Sequence, residues 1–272
     1  TDDRSTTVAT LPLPPGALRL ADLGVFSLTE LAALDARGGY FLSRWQPGTA
    51  LATPDGQRHE LLPLLDAATA PVVDRPVRLG ARQRLPARLL AVRVPQEVAD
   101  QRRRRLRATA RDKGRAVSAA RLALCAWTVL VTNVPAARLA VREALVLARA
   151  RWQIELLFRL WKSHQRVDEW RSANPWRILT EVYAKLLAVI VQHWLLLVGG
   201  WHVPDRSMVK AAQAIQGQAL HLAAVFDEYP RLCQALQTVC CCVAGARLNK
   251  RKAAPATVQL LLALDLEAEP LA

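Results

Sequence analysis

Residues 17–45 place the tightest constraint on what this chain can fold into. Ala17 to Ala21 is a short apolar run that ends at Asp22 and is followed by Gly24, the pattern of a strand whose end carries a carboxylate. Ser27 with Glu30 three residues on forms a capping box, and Leu28, Leu31 and Leu34 repeat at helical spacing until Gly38 and Gly39 stop the helix. Tyr40 to Trp45 then resumes as a strand. Strand, helix and strand in roughly 30 residues make a βαβ unit, which requires a parallel strand pair and a crossover. The expected fold class is therefore α/β.

The remaining sequence divides by texture. Residues 1–16, with Pro12, Pro14 and Pro15, read as a linker, and 17–46 as the βαβ part of a core. Residues 47–133 read as a β-rich insertion: Pro54-Asp55-Gly56 signals a turn, and Val77 to Leu79, Leu89 to Val94 and Leu122 to Thr132 are strand-like runs. One helix, roughly Gln96 to Lys113, interrupts them and carries Arg102, Arg103, Arg104, Arg105 and Arg107 on either a solvated or a phosphate-contacting face. Residues 134–201 read as core helices, one from about Ala136 to Ser163 and one from about Pro175 to Val198, the latter opened by Asn174-Pro175. A helical C-terminal region, 202–272, has weaker helices near 205–226 and 228–245, and the last 30 or so residues carry no clear pattern.

Composition narrows the functional classes. The chain has 272 residues, 52% hydrophobic, which excludes disorder over most of its length. Lys and Arg total 37 against 23 Asp and Glu, a net charge of +14, and the excess is almost all guanidinium. That favours a polyanionic partner such as nucleic acid. The cysteines, Cys125, Cys233 and Cys240 to Cys242, have no C-x-x-C spacing and predict neither a disulfide framework nor a zinc site; the run of three reads as buried small hydrophobes or inert thiols. The most apolar run, Leu186 to Gly199, is 14 residues long and contains Gln192 and His193. A membrane span needs roughly 20 residues, so the run reads as a buried helix with His193 a hydrogen-bonded core residue, and no membrane is expected.

The chemistry is concentrated in residues 151–162. On a helical wheel Arg151, Glu155, Arg159 and Lys162 fall within roughly 80° of one another, beside an apolar stripe of Ile154, Leu157, Phe158 and Trp161. One face is core, and the next presents a carboxylate between cations. By itself the spacing also describes an ordinary Arg–Glu surface pair worth a few tenths of a kcal/mol.

With a strand-end carboxylate at Asp22, a β-rich insertion, and Glu155 on a helix 133 residues later, the chain resembles the ribonuclease-H-like transposases of the DDE class. More narrowly it resembles insertion-sequence family four, whose signature helix reads Tyr-x2-Arg-x3-Glu-x6-Lys. Arg151, Glu155 and Lys162 match at those intervals, Asp22 in Leu20-Ala21-Asp22-Leu23-Gly24 matches the second catalytic aspartate, and the likeness runs from about Ala17 to Trp201. The resemblance implies a two-metal site, normally Mg²⁺, with Asp22 and Glu155 as two of three carboxylate ligands, for in-line attack on phosphorus. It implies that Arg151 and Lys162, with Arg159 beside them, contact DNA phosphates. It also implies that Trp127, 28 residues before Glu155, stacks on a flipped base, the alternative being a tryptophan buried on an apolar strand. The implied partners are transposon-end and target DNA and a second subunit in a homodimer, with no small-molecule cofactor, at the nucleoid of a bacterial cytoplasm.

Two departures qualify the likeness. Ala148 stands where the signature has Tyr, which removes one phosphate-contacting hydroxyl. The first catalytic aspartate of the family lies well upstream of the second, yet only 21 residues precede Asp22, and Asp2 and Asp3 leave no room for the intervening strands. The expectation is the C-terminal part of a cut-and-paste transposase, with a partial ribonuclease-H-like core, inactive alone and poorly soluble through exposed apolar faces. The alternatives are a non-catalytic DNA-binding or dimer-poisoning remnant of a decayed element, and an unrelated basic RNA-binding protein. His164 faces either DNA or solvent, while Trp170-Arg171 and Trp176-Arg177 read chiefly as packing around the following helix.

Overall fold

The computed structural model describes residues 13–200, 206–248 and 257–268. The linker reading of residues 1–12, with Asp2 and Asp3, lies outside them. The chain forms two compact units, Thr1–Ala148 and Arg149–Ala272.

The first unit opens with the expected βαβ. Strand β1 (Leu18–Ala21) leads through a 3-10 turn (Leu23–Val25) into helix α1 (Leu28–Ala36), and β2 (Tyr40–Arg44) lies parallel to β1, Leu18 opposite Tyr40 and Ala21 opposite Ser43. The Ser27 hydroxyl accepts from the Glu30 amide at 3.4 Å, as the capping box requires. Gly38 turns the chain at φ 75°, and a Cβ on Gly39 would sit 2.4 Å from Leu34 Cδ1, so a side chain there would collide with the helix it terminates.

Five more strands extend the same sheet: β3 (Leu51–Ala52), β4 (Arg58–His59), β5 (Val72–Leu79), β6 (Leu85–Arg93) and β7 (Trp127–Thr132), in the order β1-β2-β7-β6-β5-β3-β4. Every pairing after β1–β2 is antiparallel. The strands of 47–133 thus continue the sheet begun by β1 and β2. Alternation along the strands divides the core: Phe41, Leu89 and Val131 face one cluster with Leu31, Leu34, Leu61 and Leu65, whereas Leu42, Leu90 and Leu130 face another with Val134, Leu139 and Ala144. Helix α2 (Leu61–Asp66) contributes Leu61 and Leu65, α3 spans Gln96–Asp112, and α4 spans Ala119–Leu124. The strand expected from Leu122 is therefore corrected: Ser118 caps α4 through the Arg121 amide, and the extended backbone begins only at Trp127.

The single helix expected over Ala136 to Ser163 is two. Glu143 Oε2 accepts from the Ala140 amide at 2.5 Å and starts α5 at Val141, which runs to Ala150, and α6 occupies Gln153–Ser163. Neither Pro nor Gly lies between them. The ladder tightens instead, with Trp152 N–H donating to Arg149 O, Ile154 to Arg151 O and Glu155 to Trp152 O, all i→i−3 bonds.

In the second unit α6 is followed by α7 (Pro175–Gly200), α8 (Met208–Ala224), α9 (Tyr229–Gly245) and α10 (Thr257–Ala268). Asn174 Oδ1 accepts from Trp176 N at 2.9 Å and fixes the start of α7. The core here joins Leu196 of α7, Ala211 and Ile215 of α8, and Val239 and Val243 of α9. The buried-helix reading of Leu186 to Gly199 is corrected. Of α7 only Val189, Gln192, Leu196 and Gly200 are buried, while Leu187, Ile190, Trp194 and Val198 are exposed, Trp194 by 65% and Val198 by 76%. Among the described residues α7 is the one helix long and apolar enough, by length and composition, to cross a membrane. Trp176 is also exposed, by 77%, rather than packed, Trp170 is about half exposed, and Cys241 and Cys242 lie exposed on α9 rather than buried.

Candidate functional site

In the first unit the candidate site residue is Asp22, placed at the carboxyl end of the parallel strand β1. Its Oδ1 accepts from the Leu23 amide at 2.8 Å and caps the 3-10 turn, so the half-buried carboxylate is held at the strand end by local backbone geometry. Carboxyl ends of parallel strands are where α/β sheets present ligand-binding groups.

Trp127 opens β7 and is 5% exposed, with its side chain in the core cluster. Arg93, directly across on β6, lies over the indole at 4.8 Å from the ring centroid, a cation–π contact. The ring is packed as a core tryptophan, and a stacked base would have to displace that guanidinium.

The second unit holds the candidate residues Arg151, Glu155, Arg159 and Lys162. Arg151 lies in the turn between α5 and α6, and its Nη2 donates to Glu155 Oε1 at 2.8 Å in the first turn of α6. The Glu155 side chain is 35% exposed and sits where the helix N-terminus favours a negative charge. Arg159 and Lys162, four and seven residues further on, follow the same stripe and are exposed. The arrangement is a partly exposed carboxylate oriented by one guanidinium and flanked by two solvent-facing cations. The apolar stripe beside it is not the core face expected: Ile154 and Phe158 are close to half exposed, Leu157 and Trp161 are half-buried, and the buried residue of α6 is Leu160, outside the stripe.

Beyond α6 lies a cavity of about 560 Å³ lined in part by His164, Gln165, Trp170, Lys185 and Gln192. Gln165 donates to Gln192 Oε1, and Gln165 Oε1 and Gln192 Nε2 are buried without hydrogen-bond partners. His193 Nδ1 lies 2.7 Å from Val189 O and its ring meets Trp161 edge-on, in keeping with a hydrogen-bonded helix histidine. The Gln165–Gln192 pair was invisible to sequence reasoning because 27 residues separate its members.

Asp22 in the first unit and Glu155 in the second each carry a carboxylate, the hard oxygen donor type that a divalent ion prefers. Among the described residues, however, no group of three or more His, Cys, Asp or Glu side chains is placed to hold a metal.

The family model described as the transposase DDE domain matches residues 3–191. The chain belongs to this family. It is 27% identical over 197 residues to the transposase for insertion sequence element IS231D of Bacillus thuringiensis subsp. finitimus, covering 66% of this chain and 41% of that protein. It is 28% identical over 197 residues to the transposase for IS231C of Bacillus thuringiensis subsp. berliner, with the same coverage. It is also 30% identical over 183 residues to the putative transposase InsL for insertion sequence element IS186A of Escherichia coli strain K12, covering 64% of this chain and 50% of that protein. The chain thus spans half or less of the length of these curated relatives. No solved structure matches it significantly.

Proposed function

We propose that this chain carries part of the catalytic apparatus of a cut-and-paste DNA transposase of insertion-sequence family four, on a ribonuclease-H-like core. Asp22 and Glu155 are its acidic active-centre residues, with Mg²⁺ as the ion such carboxylates take. Arg151 positions Glu155, and Arg159 and Lys162 meet the phosphates of the element's ends. Trp127 supplies the surface for an unstacked base if Arg93 swings aside. The whole protein acts as a homodimer on DNA at the bacterial nucleoid. The observation that carries this reading is the Arg151–Glu155 pair at the head of α6, with exposed cations continuing its stripe inside the matched transposase domain.

The test uses linear DNA bearing the gene with both natural flanks, incubated in Mg²⁺ with the full chain or with its Asp22→Asn and Glu155→Gln variants. Against the expectation drawn from the sequence that the chain is inactive alone, this reading expects strand cleavage by the unaltered chain and its loss in each variant, with DNA affinity retained. The second reading, a binding-only remnant of a decayed element, expects affinity without cleavage from all three. It rests on the net charge of +14, which suits a polyanion whether or not the chain cleaves it.

A further inference from the structure

Helix α3 treats its arginines unequally, and the sequence gives no sign of this. Arg102 turns inward: Nη1 donates to Trp127 O and Nη2 to Thr128 Oγ1, both at 3.0 Å, and burial pulls its guanidinium below the usual range. Arg103 donates to Leu122 O at 3.1 Å and pairs with Asp100 at 2.7 Å. These two tie the helix to β7 and α4 beside the buried Ala99. Their neighbours do the opposite. Arg104, Arg107 and Arg111 fall within about 60° on the helical wheel and all are exposed.

Among the described residues no acid forms an ion pair with that stripe. Asp100, the one carboxylate a turn away, is engaged by Arg103 and Gln96. Arg107 and Arg111 have no acid three or four residues to either side, and each faces another arginine there. Past the helix end the exposed Lys113 and Arg115 continue the basic surface. Residues 102–121 hold nine Lys and Arg against one Asp, a local excess of eight within the chain's net +14. A solvated helix face is normally laced with both signs, whereas a row of guanidiniums that repel one another suits an external polyanion.

We propose that the outward stripe of α3, Arg104, Arg107 and Arg111, is a non-sequence-specific docking surface for the phosphate backbone of duplex DNA, separate from the residues of α6. This rests on the DNA-transposase reading. Three phosphates neutralised there release counterions and make binding steeply salt-dependent.

The test measures binding of the full chain to a random-sequence 30-base-pair duplex by fluorescence anisotropy between 50 and 300 mM NaCl. It compares the unaltered chain with a triple Arg104→Gln, Arg107→Gln, Arg111→Gln variant and with a charge-matched control, Arg58→Gln, Arg75→Gln, Arg82→Gln, at exposed arginines elsewhere in the same unit. The slope of log Kobs against log salt should shrink by about 2 to 3 in the α3 triple and by less than about 1 in the control. Arg107→Gln alone should lower it by about 1 and guards against misfolding of the triple. Equal slopes for the two triples, or an unchanged slope in both, would overturn the proposal while leaving the transposase reading intact. An unaltered chain with no affinity for DNA would overturn both.

Discussion

Asn133 and Arg88 hold the sheet of the first unit together through partners far away in sequence. Asn133 Oδ1 accepts from Phe41 N at 2.8 Å, and its Nδ2 donates to Asp35 at 2.7 Å and to Gly39 O at 2.9 Å, joining the end of β7 to α1 and β2. Arg88 forks onto Asp74 at 3.1 and 2.5 Å and donates to Val134 O and Leu139 O. Asn133→Ala and Arg88→Met should each lower the free energy of urea unfolding by about 2 kcal/mol or more, because buried or half-buried partners lose their bonds. A cost below about 0.5 kcal/mol would contradict the assignment. Neither residue stood out in the sequence, since their partners lie 14 to 98 residues away. Ser27–Glu30 and Arg151–Glu155 were legible because a helix brings residues three and four apart together whatever the tertiary fold.

At the level of elements, the βαβ unit and the helix starts at Ser27 and Asn174 could be read directly, because each carries its own cap or stop. The α5–α6 break could not, because no Pro or Gly marks it and only the hydrogen-bond ladder changes. The burial of α7 was also misread: hydrophobicity gives no face when nearly every residue of a helix is apolar. Its buried stripe predicts a contrast in unfolding experiments. Leu196→Ala should cost about 2–5 kcal/mol, while Leu187→Gln on the exposed face should change stability by less than about 0.5 kcal/mol. Equal costs would place the stripe wrongly. Glu181, on the same helix, has its carboxyl held below the usual range by a hydrogen bond from Lys185 and another from the Arg171 amide. An acid lowered in the folded state adds stability above its unfolded pKa and loses it as pH falls through the folded one. Glu181→Gln should therefore flatten the loss of stability on the acid side in a pH series of urea midpoints, and an unchanged acid limb would argue against that pairing.

The whole molecule combines a strongly basic surface with a long apolar one. Exposed Leu187, Ile190, Trp194 and Val198 on α7 predict concentration-dependent self-association in sedimentation velocity, relieved by Trp194→Glu; monodisperse behaviour of the unaltered chain at high concentration would contradict this. The DDE-transposase assignment was legible from Asp22, Arg151, Glu155 and Lys162 because their spacing is read from the sequence alone, and the match of the transposase DDE domain over residues 3–191 agrees with it at that level. The division of labour within α3 was not legible, since inward and outward arginines look alike until β7 and α4 are in place. The central proposal, that Glu155 and Asp22 are each required for DNA strand cleavage, is tested most directly by strand cleavage of the gene's own flanking DNA in Mg²⁺. The account predicts cleavage by the unaltered chain that is lost in both Asp22→Asn and Glu155→Gln without loss of DNA affinity. Cleavage that persists in either variant would contradict it.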